Sequence, residues 1–191
     1  FIVQKEHQEK YNINSVLKIL KPNCKIIELD HITEGAACTT LLAKKFINTN
    51  HPLIIANSDQ YIKWDSIKSM YNYNQKKIDG SILTFEAIHP KWSYAKTDKN
   101  NFVTEVAEKK VISKNATVGV YYWKKGSDYV NCAETMIKKN VRVNNEFYVC
   151  PVYNEAIGEG RKIVIDKVLE MHGLGTPDDL KNFITKKNLT K

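Results

Sequence analysis

The sequence predicts an α/β fold in which helices cover both faces of a mixed, mostly parallel sheet. Short apolar runs at residues 1–3, 25–29 and 52–56 are too short for helices. They also lack the strict alternation of half-exposed strands, as is typical of strands that are covered on both faces. Helical patterns separate the three runs, and parallel strands need such crossovers.

Crossover helices separate the predicted parallel strands. One is predicted at residues 16–20 behind a cap at Asn14 or Ser15, and another at residues 38–47 behind the small residues 34–37. A third covers residues 65–77 and ends before Asp79 and Gly80.

After Gly80 the pattern favours closely spaced strands, at residues 81–87, 92–97, 102–107 and 116–123. Residues 98–101 supply a turn that joins two of them as a hairpin. The remaining elements are a helix at 126–139 capped by Ser127 or Asp128, a helix at 152–157 between Pro151 and Gly158, a strand at 161–165, and a final helix that begins at residues 176–179. We therefore expect a βαβ half followed by an antiparallel-rich half.

Composition excludes several classes of protein. With 42% hydrophobic and 10% aromatic residues in 191, the chain has too much core material for intrinsic disorder. No apolar run approaches the ~18 residues of a membrane span. No linker or repeat divides the chain, so we expect one domain over residues 1–191. Four cysteines without paired spacing, and no signal-peptide pattern, predict reduced thiols and a cytoplasmic location.

The net charge of +8 does not indicate a nucleic-acid partner. Nearly all of it is scattered lysine, since Arg142 and Arg161 are the only arginines, and specific phosphate and base recognition favours the bidentate guanidinium. We interpret the charge as a solvated basic surface that mildly steers anionic substrates. Steeply salt-dependent retention on DNA or RNA would instead favour nucleic-acid binding.

Two segments that end strands or begin helices are the first candidates for a site. Asp59 follows a strand that is predicted to be buried, where a carboxylate suits a hard cation such as Mg²⁺, although a helix or turn cap is the alternative. Residues 33–37 are small enough to bring backbone amides close to an anion, although tight strand-to-helix packing explains them equally well.

Two later segments combine charged or amide groups with aromatic residues. In residues 105–110, acids suit hydroxyl groups and Lys109 suits a phosphate, with the end of a surface hairpin as the alternative. Residues 144–148 suit a sugar-like ligand or a capped turn. The five histidines are dispersed, and no Cys/His spacing indicates zinc or a nucleophilic dyad.

Taken in order, these segments resemble the sugar-phosphate nucleotidyltransferases over essentially the whole chain. The most specific matches are residues 116–122 and 174–179. The resemblance implies a Rossmann-like three-layer α/β/α sandwich, the nucleotide-diphospho-sugar transferase fold. It also implies that an NTP and a sugar 1-phosphate, or a similar phosphorylated small molecule, react with Mg²⁺ to release pyrophosphate. The sequence leaves open which substrates are used and whether a homo-oligomer forms.

Carried over by position, the resemblance implies three groups of site residues. The nucleotide-binding group is Glu34, Gly35, Ala36, Asn57 and Ser58. The catalytic group is Asp59, which would hold the metal, and Lys109. The sugar-phosphate group is Ser93, Glu108, Lys109, Gly119, Asn145 and Glu146.

The chain departs from the family pattern in two places. Gly173 stands where many members have a second metal-binding acid, and no strand with a Gly-rich, triphosphate-cradling loop and a helix precedes residues 1–3. We therefore expect an N-terminally truncated domain that binds its sugar phosphate better than an NTP. The rival interpretations are a metal-dependent glycosyltransferase of the same fold and a non-catalytic binding domain.

Overall fold

The computed structural model describes residues 1–188. Its elements in chain order are β1 (Ile2–Gln4), α1 (Lys5–Tyr11), α2 (Ile13–Leu20), β2 (Ile27–Leu29), α3 (Ala36–Leu41), α4 (Lys44–Ile47), β3 (Leu53–Ala56), β4 (Gln60–Lys63), α5 (Ser66–Gln75), β5 (Gly80–Glu86), β6 (Tyr94–Thr97), β7 (Val103–Ala107), β8 (Asn115–Trp123), α6 (Gly126–Lys138), α7 (Val152–Gly158), β9 (Ile163–Lys167), β10 (Glu170–Gly173) and α8 (Pro177–Asn188).

The central sheet confirms the predicted fold class. Its order is β7-β6-β8-β5-β9, with β3 also paired to β8. Strands β3, β5, β6 and β9 share one direction, whereas β7 and β8 run the other way. The prediction of a mostly parallel sheet therefore holds for strand direction. It does not hold for neighbouring strands, because β8 lies among β3, β5 and β6 and makes those three pairings antiparallel.

The core is built around β8, which is buried from its second residue to its last. On one face, α6 and α7 pack over Trp123, whose ring stacks on Tyr153 with centroids 4.4 Å apart. The Tyr153 hydroxyl donates to the backbone oxygen of Tyr122 at 2.8 Å, which satisfies its buried polar group. The opposite face carries separate clusters around Leu83 and Tyr73. Each large side chain buried in this way stabilises the fold by about 1.5–3 kcal/mol.

Two shorter pairs of strands flank the central sheet. β1 pairs with β2 in parallel, as the predicted βαβ half requires, and β10 pairs with β4 antiparallel. No sequence pattern predicts β4, β10 or α1. Helix α1 has no buried residue, so its sequence shows no apolar period, and β4 is joined to β10 only by distant pairing.

Three local predictions are wrong. The helix expected at residues 38–47 is two helices, α3 and α4, interrupted at Leu42 and Ala43. Helix α6 begins after Lys125 without a side-chain cap, so neither Ser127 nor Asp128 caps it. Helix α2 begins after Asn12, which lies in the left-handed region, and not after Asn14 or Ser15.

The first strands are also less covered than expected. β1 pairs only with β2, and β3 only with β8, so within residues 1–188 each strand has one unpaired edge. The side chains of Phe1 and Ile54 are 57% and 47% exposed. Residues of β1 and β3 line the same groove of about 390 Å³. No residue of β1 or β3 is fully buried, so the prediction of strands covered on both faces is wrong for these two strands.

Among the described residues, no helix combines the length and the apolar composition needed to cross a membrane.

Candidate functional site

A cleft of about 280 Å³ opens where β8 leaves its pairing with β6 and begins its pairing with β3. The Thr117 amide donates to the Ser93 oxygen at 2.8 Å on one side of this junction. The Asn57 amide donates to the Gly119 oxygen at 2.9 Å on the other. Gly119 has a φ of +76°, and a Cβ there would lie 2.4 Å from Asn57 Nδ2. Glycine therefore meets both the backbone conformation and the close approach.

The cleft brings together residues from most of the predicted segments. Those predicted from sequence are Ala36, Asn57, Ser93, Glu108 and Gly119. Those not among the predicted site residues are Gln60, Lys91, Trp92, Thr117, Val118, Tyr121, Tyr148, Val149 and Cys150, although Tyr148 belongs to the candidate segment 144–148. Seven of these nine lie within two residues of a predicted residue in sequence, and that proximity is the signal that could have found them.

Glu108 supplies a half-buried carboxyl group to the cleft. Burial raises the pKa of Glu108, opposed by the hydrogen bond that the Ser93 hydroxyl donates to it and by the charge of Lys109. Glu146 adds a smaller repulsion that also raises this pKa. A carboxyl group in this setting is suited to accept hydrogen bonds from substrate hydroxyl groups, because water solvates it poorly.

Lys109 does not line the cleft itself, but it follows Glu108 in sequence and contacts Tyr148, and both of those residues line it. Its φ is 53°, and its amide donates to the Trp92 oxygen at 3.1 Å, so the backbone at this turn is fixed. Its ammonium donates to the Tyr148 hydroxyl at 2.6 Å. That hydrogen bond is the largest of the effects that raise the pKa of Lys109, so the side chain is a cation at neutral pH.

Asp59 follows β3 and is exposed. Its backbone oxygen accepts from the Leu174 amide at 2.7 Å, and a Cβ on Gly175 would lie 2.7 Å from Asp59 Oδ2. Within residues 1–188 no hydrogen bond or ion pair engages the carboxylate. The strand β4 follows it, so the alternative role of a helix cap does not apply.

The donor set around Asp59 fits Mg²⁺ only in part. No group of three or more His, Cys, Asp or Glu side chains that could hold a metal ion occurs in the described part of the chain. Gly173 pairs with Gln60 beside Asp59, so the position of the expected second acid faces this site without a ligand. Mg²⁺ commonly keeps several waters and binds one or two carboxylates plus substrate phosphates. Asp59 fits such a substrate-bridged ion but not a cage made by the protein alone.

The predicted nucleotide loop is clamped to the segment that carries Tyr148. The Phe147 amide donates to the Glu34 oxygen and the Ala37 amide to the Phe147 oxygen, both at 2.9 Å. Gly35 has a φ of +131°, and a Cβ there would lie 2.5 Å from the Phe147 backbone. The Glu34 carboxylate is paired with Arg142 at 2.5 Å. Tight packing, the alternative considered for this loop, is therefore present.

Seven of the twelve predicted residues do not line the cleft: the four already described, Glu34, Gly35, Asp59 and Lys109, and also Ser58, Asn145 and Glu146. Ser58 lines the groove between β1 and β3, where Asn57 also reaches. Asn145 lies in a turn at residues 143–146, with a φ of 65°, and its backbone oxygen accepts from Arg142 at 3.1 Å. Glu146 is exposed in the same turn and acts on Glu108 and Lys109 through charge alone. The capped-turn alternative thus describes Asn145 and Glu146 as the structure has them.

Solved structures share this fold. A nucleoside-diphosphate-sugar pyrophosphorylase from Vibrio cholerae RC9 matches with a TM-score of 0.79 and 23% identity, over 97% of this chain and 79% of its own. The inositol-1-phosphate CTP transferase from T. maritima matches at 0.72 and 14%, over 97% and 73%. A UDP-glucose pyrophosphorylase bound to UDP-glucose matches at 0.68 and 14%, over 94% and 73%.

These structures confirm the predicted resemblance at the level of the fold. No protein-family model and no curated protein matches the chain.

Proposed function

We propose that the chain is a nucleotidyltransferase that joins an NTP to a sugar 1-phosphate, or to a similar phosphorylated small molecule, and releases pyrophosphate. The products would be activated sugars for cell-envelope polysaccharides. The observation that carries the proposal is the cleft itself, where the carboxyl group of Glu108 and the ammonium of Lys109 come within reach of one small ligand, with Asp59 at the neighbouring strand end.

The roles follow from the chemistry of these groups. Glu108 and Ser93 would accept and donate hydrogen bonds to sugar hydroxyls. Lys109 would neutralise the sugar phosphate, whose oxygen attacks the α-phosphorus of the NTP. The α–β anhydride bond then breaks, and its electron pair leaves with pyrophosphate. Positioning and charge neutralisation supply most of the catalysis in such in-line transfers.

Asp59 would hold Mg²⁺, and the ion would supply charge neutralisation at the phosphates when bound. The free carboxylate of Asp59 supports this role, because no protein group competes for it within residues 1–188. The single carboxylate also supports a site that needs the nucleotide phosphates as further ligands.

The nucleotide side of the site is less complete than the sugar side. The groove between β1 and β3 is open, and both strands have an unpaired edge there. The cleft around Glu108, in contrast, is walled by several strands. These features support the expectation that the chain binds a sugar phosphate more tightly than an NTP.

Isothermal titration and a pyrophosphate-release assay test the proposal together. Sugar 1-phosphates should bind the chain more tightly than any NTP, and Lys109→Met should weaken this binding to a level that titration still measures. The matched control is Lys110→Met, which alters the exposed neighbouring lysine. Micromolar NTP binding would contradict the expected ranking.

The release assay identifies the reaction. Pyrophosphate should appear only with an NTP, a sugar phosphate and Mg²⁺ together. Release of a nucleoside diphosphate from a nucleotide sugar would replace the proposal with a glycosyltransferase. Sugar-phosphate binding without either reaction would favour a non-catalytic binding domain.

A further inference from the structure

Tyr148 contacts Lys109, a cation beside the cleft. Its hydroxyl accepts a hydrogen bond from Lys109 Nζ at 2.6 Å, and its side chain lines the cleft. Nζ also lies 4.8 Å from the centroid of the Tyr148 ring. Since a hydrogen bond at the hydroxyl already brings Nζ to about this distance from the ring, the hydroxyl carries the contact.

The backbone of Tyr148 is held on both sides. Its neighbours Phe147 and Val149 are buried, with exposed fractions of 1% and 7%. Phe147 is further fixed by its backbone hydrogen bonds to Glu34 and Ala37. The backbone of Tyr148 is therefore held in place beside the cleft, although its own side chain is only half-buried.

Lys109 is held at both ends as a result. Its backbone is fixed by the left-handed conformation and by the amide hydrogen bond to Trp92, and its ammonium is fixed by Tyr148. A free lysine side chain samples many rotamers, and a ligand that orders it must offset that entropy. A lysine that is already ordered does not impose this cost on the ligand.

We propose that Tyr148 is a positioning residue that holds the Lys109 ammonium at the mouth of the cleft, so that a phosphorylated substrate meets a cation already in place. The identification of the ligand as a phosphate rests on the proposed function. The contact between Tyr148 and Lys109 does not, and the two are tested separately.

The first test is a double-mutant cycle measured by titration with sugar 1-phosphates. Tyr148→Phe keeps the ring and removes the hydroxyl, and it should weaken binding by about three- to tenfold, as expected for loss of a hydrogen bond to a charged but exposed group. In a Lys109→Met background, Tyr148→Phe should cause no further loss, because coupled residues are not additive. Tyr71→Phe, at an exposed tyrosine of α5, is the control and should bind as the wild type does.

The second test needs no substrate. Acetic anhydride labels only unprotonated amines, so the labelling of Lys109 at pH 9, read by mass spectrometry, reports its pKa. The groups that face Lys109 are Tyr148, Glu108 and Glu146, and all of them raise this pKa. Tyr148→Phe removes the largest of these effects and should increase the labelling of Lys109. Lys44, which is paired with Glu134, should not change.

The outcomes separate the two claims. An additive loss of binding in the double mutant, or unchanged Lys109 labelling in a folded Tyr148→Phe variant, would overturn the positioning role. If the wild type binds no sugar phosphate but Lys109 labelling rises in Tyr148→Phe, the contact stands and the proposed function fails. Thermal unfolding of each variant confirms that it is folded before either result is read.

Discussion

Two glycines offer a test of how the cleft is shaped. Gly119 and Gly160 have almost the same positive φ, +76° and +77°. Their surroundings differ, because a Cβ at Gly119 would lie 2.4 Å from Asn57 Nδ2, whereas nothing lies within 4 Å of a Cβ at Gly160. The pair of substitutions Gly119→Ala and Gly160→Ala therefore separates backbone strain from the contact with Asn57.

The expected losses of unfolding free energy follow from these two terms. Placing alanine in the left-handed region costs about 1–2 kcal/mol. Alanine also lowers the conformational entropy of the unfolded chain, which offsets about 0.4–1 kcal/mol of this cost. Gly160→Ala should thus cost about 1 kcal/mol. Gly119→Ala must also drive Asn57 from its rotamer, which adds about 0.5–1.5 kcal/mol, for a total of about 2 kcal/mol. For a chain of this size each kcal/mol lowers Tm by about 2–4 °C.

Urea unfolding and titration with a sugar 1-phosphate measure the two consequences. Gly160→Ala should lower the unfolding midpoint and leave binding unchanged, because it lies at the end of α7, away from the cleft. Gly119→Ala should lower the midpoint further and weaken binding, because Asn57 lines the cleft. Equal midpoints for the two variants, or full binding by Gly119→Ala, would refute the claim that Asn57 fills the space beside Gly119.

Three further outcomes are expected. Asp59→Asn should leave the free energy of unfolding within about 0.5 kcal/mol of wild type, since no described group pairs with this carboxylate. The same variant should lower Mg²⁺-dependent pyrophosphate release by at least about tenfold. Gly175→Ala should weaken Mn²⁺ binding, measured by electron paramagnetic resonance, because its Cβ would displace Asp59 Oδ2, whereas Gly173→Ala, whose Cβ would meet only a ring atom at 4.0 Å, should not. The pKa of Glu108 is raised, so the folded state binds this proton more readily than the unfolded state, and wild-type stability falls as the pH rises from 4.5 through the raised pKa. Glu108→Gln carries no such charge. In urea unfolding it should therefore be more stable than wild type at pH 7.5 but not at pH 4.

The elements that the sequence predicted well are those whose side chains meet the core. β8 is buried along nearly its whole length, and α6 presents a clear buried face, so both leave an apolar pattern. α1, β4 and β10 have no fully buried residue, and nothing in their sequence outweighs their polar character. Propensity alone is a weak signal for such elements, because tertiary pairing decides them.

The site was predictable as a set of segments but not as a cleft. The motif order placed Asp59, Glu108 and Lys109 near strand ends, which is where the structure has them. The role of Trp92 and Tyr148 in the walls depends on how far β8 runs along β6 before it turns to β3, and a sequence does not give that distance. Asn145 and Glu146 show the same limit, because their left-handed turn carries them away from the cleft.

The clamp at Phe147 connects the two halves of the site. The predicted nucleotide loop at Gly35 and the segment that carries Tyr148 are joined by two backbone hydrogen bonds of 2.9 Å. A Cβ at Gly35 would lie 2.5 Å from the Phe147 backbone, so the two segments approach as closely as glycine permits. Interiors packed this tightly transmit displacements instead of absorbing them. The packing role and the functional role of Gly35 are therefore not rivals: the contact that packs the loop also sets its distance from Tyr148, and through Tyr148 from Lys109.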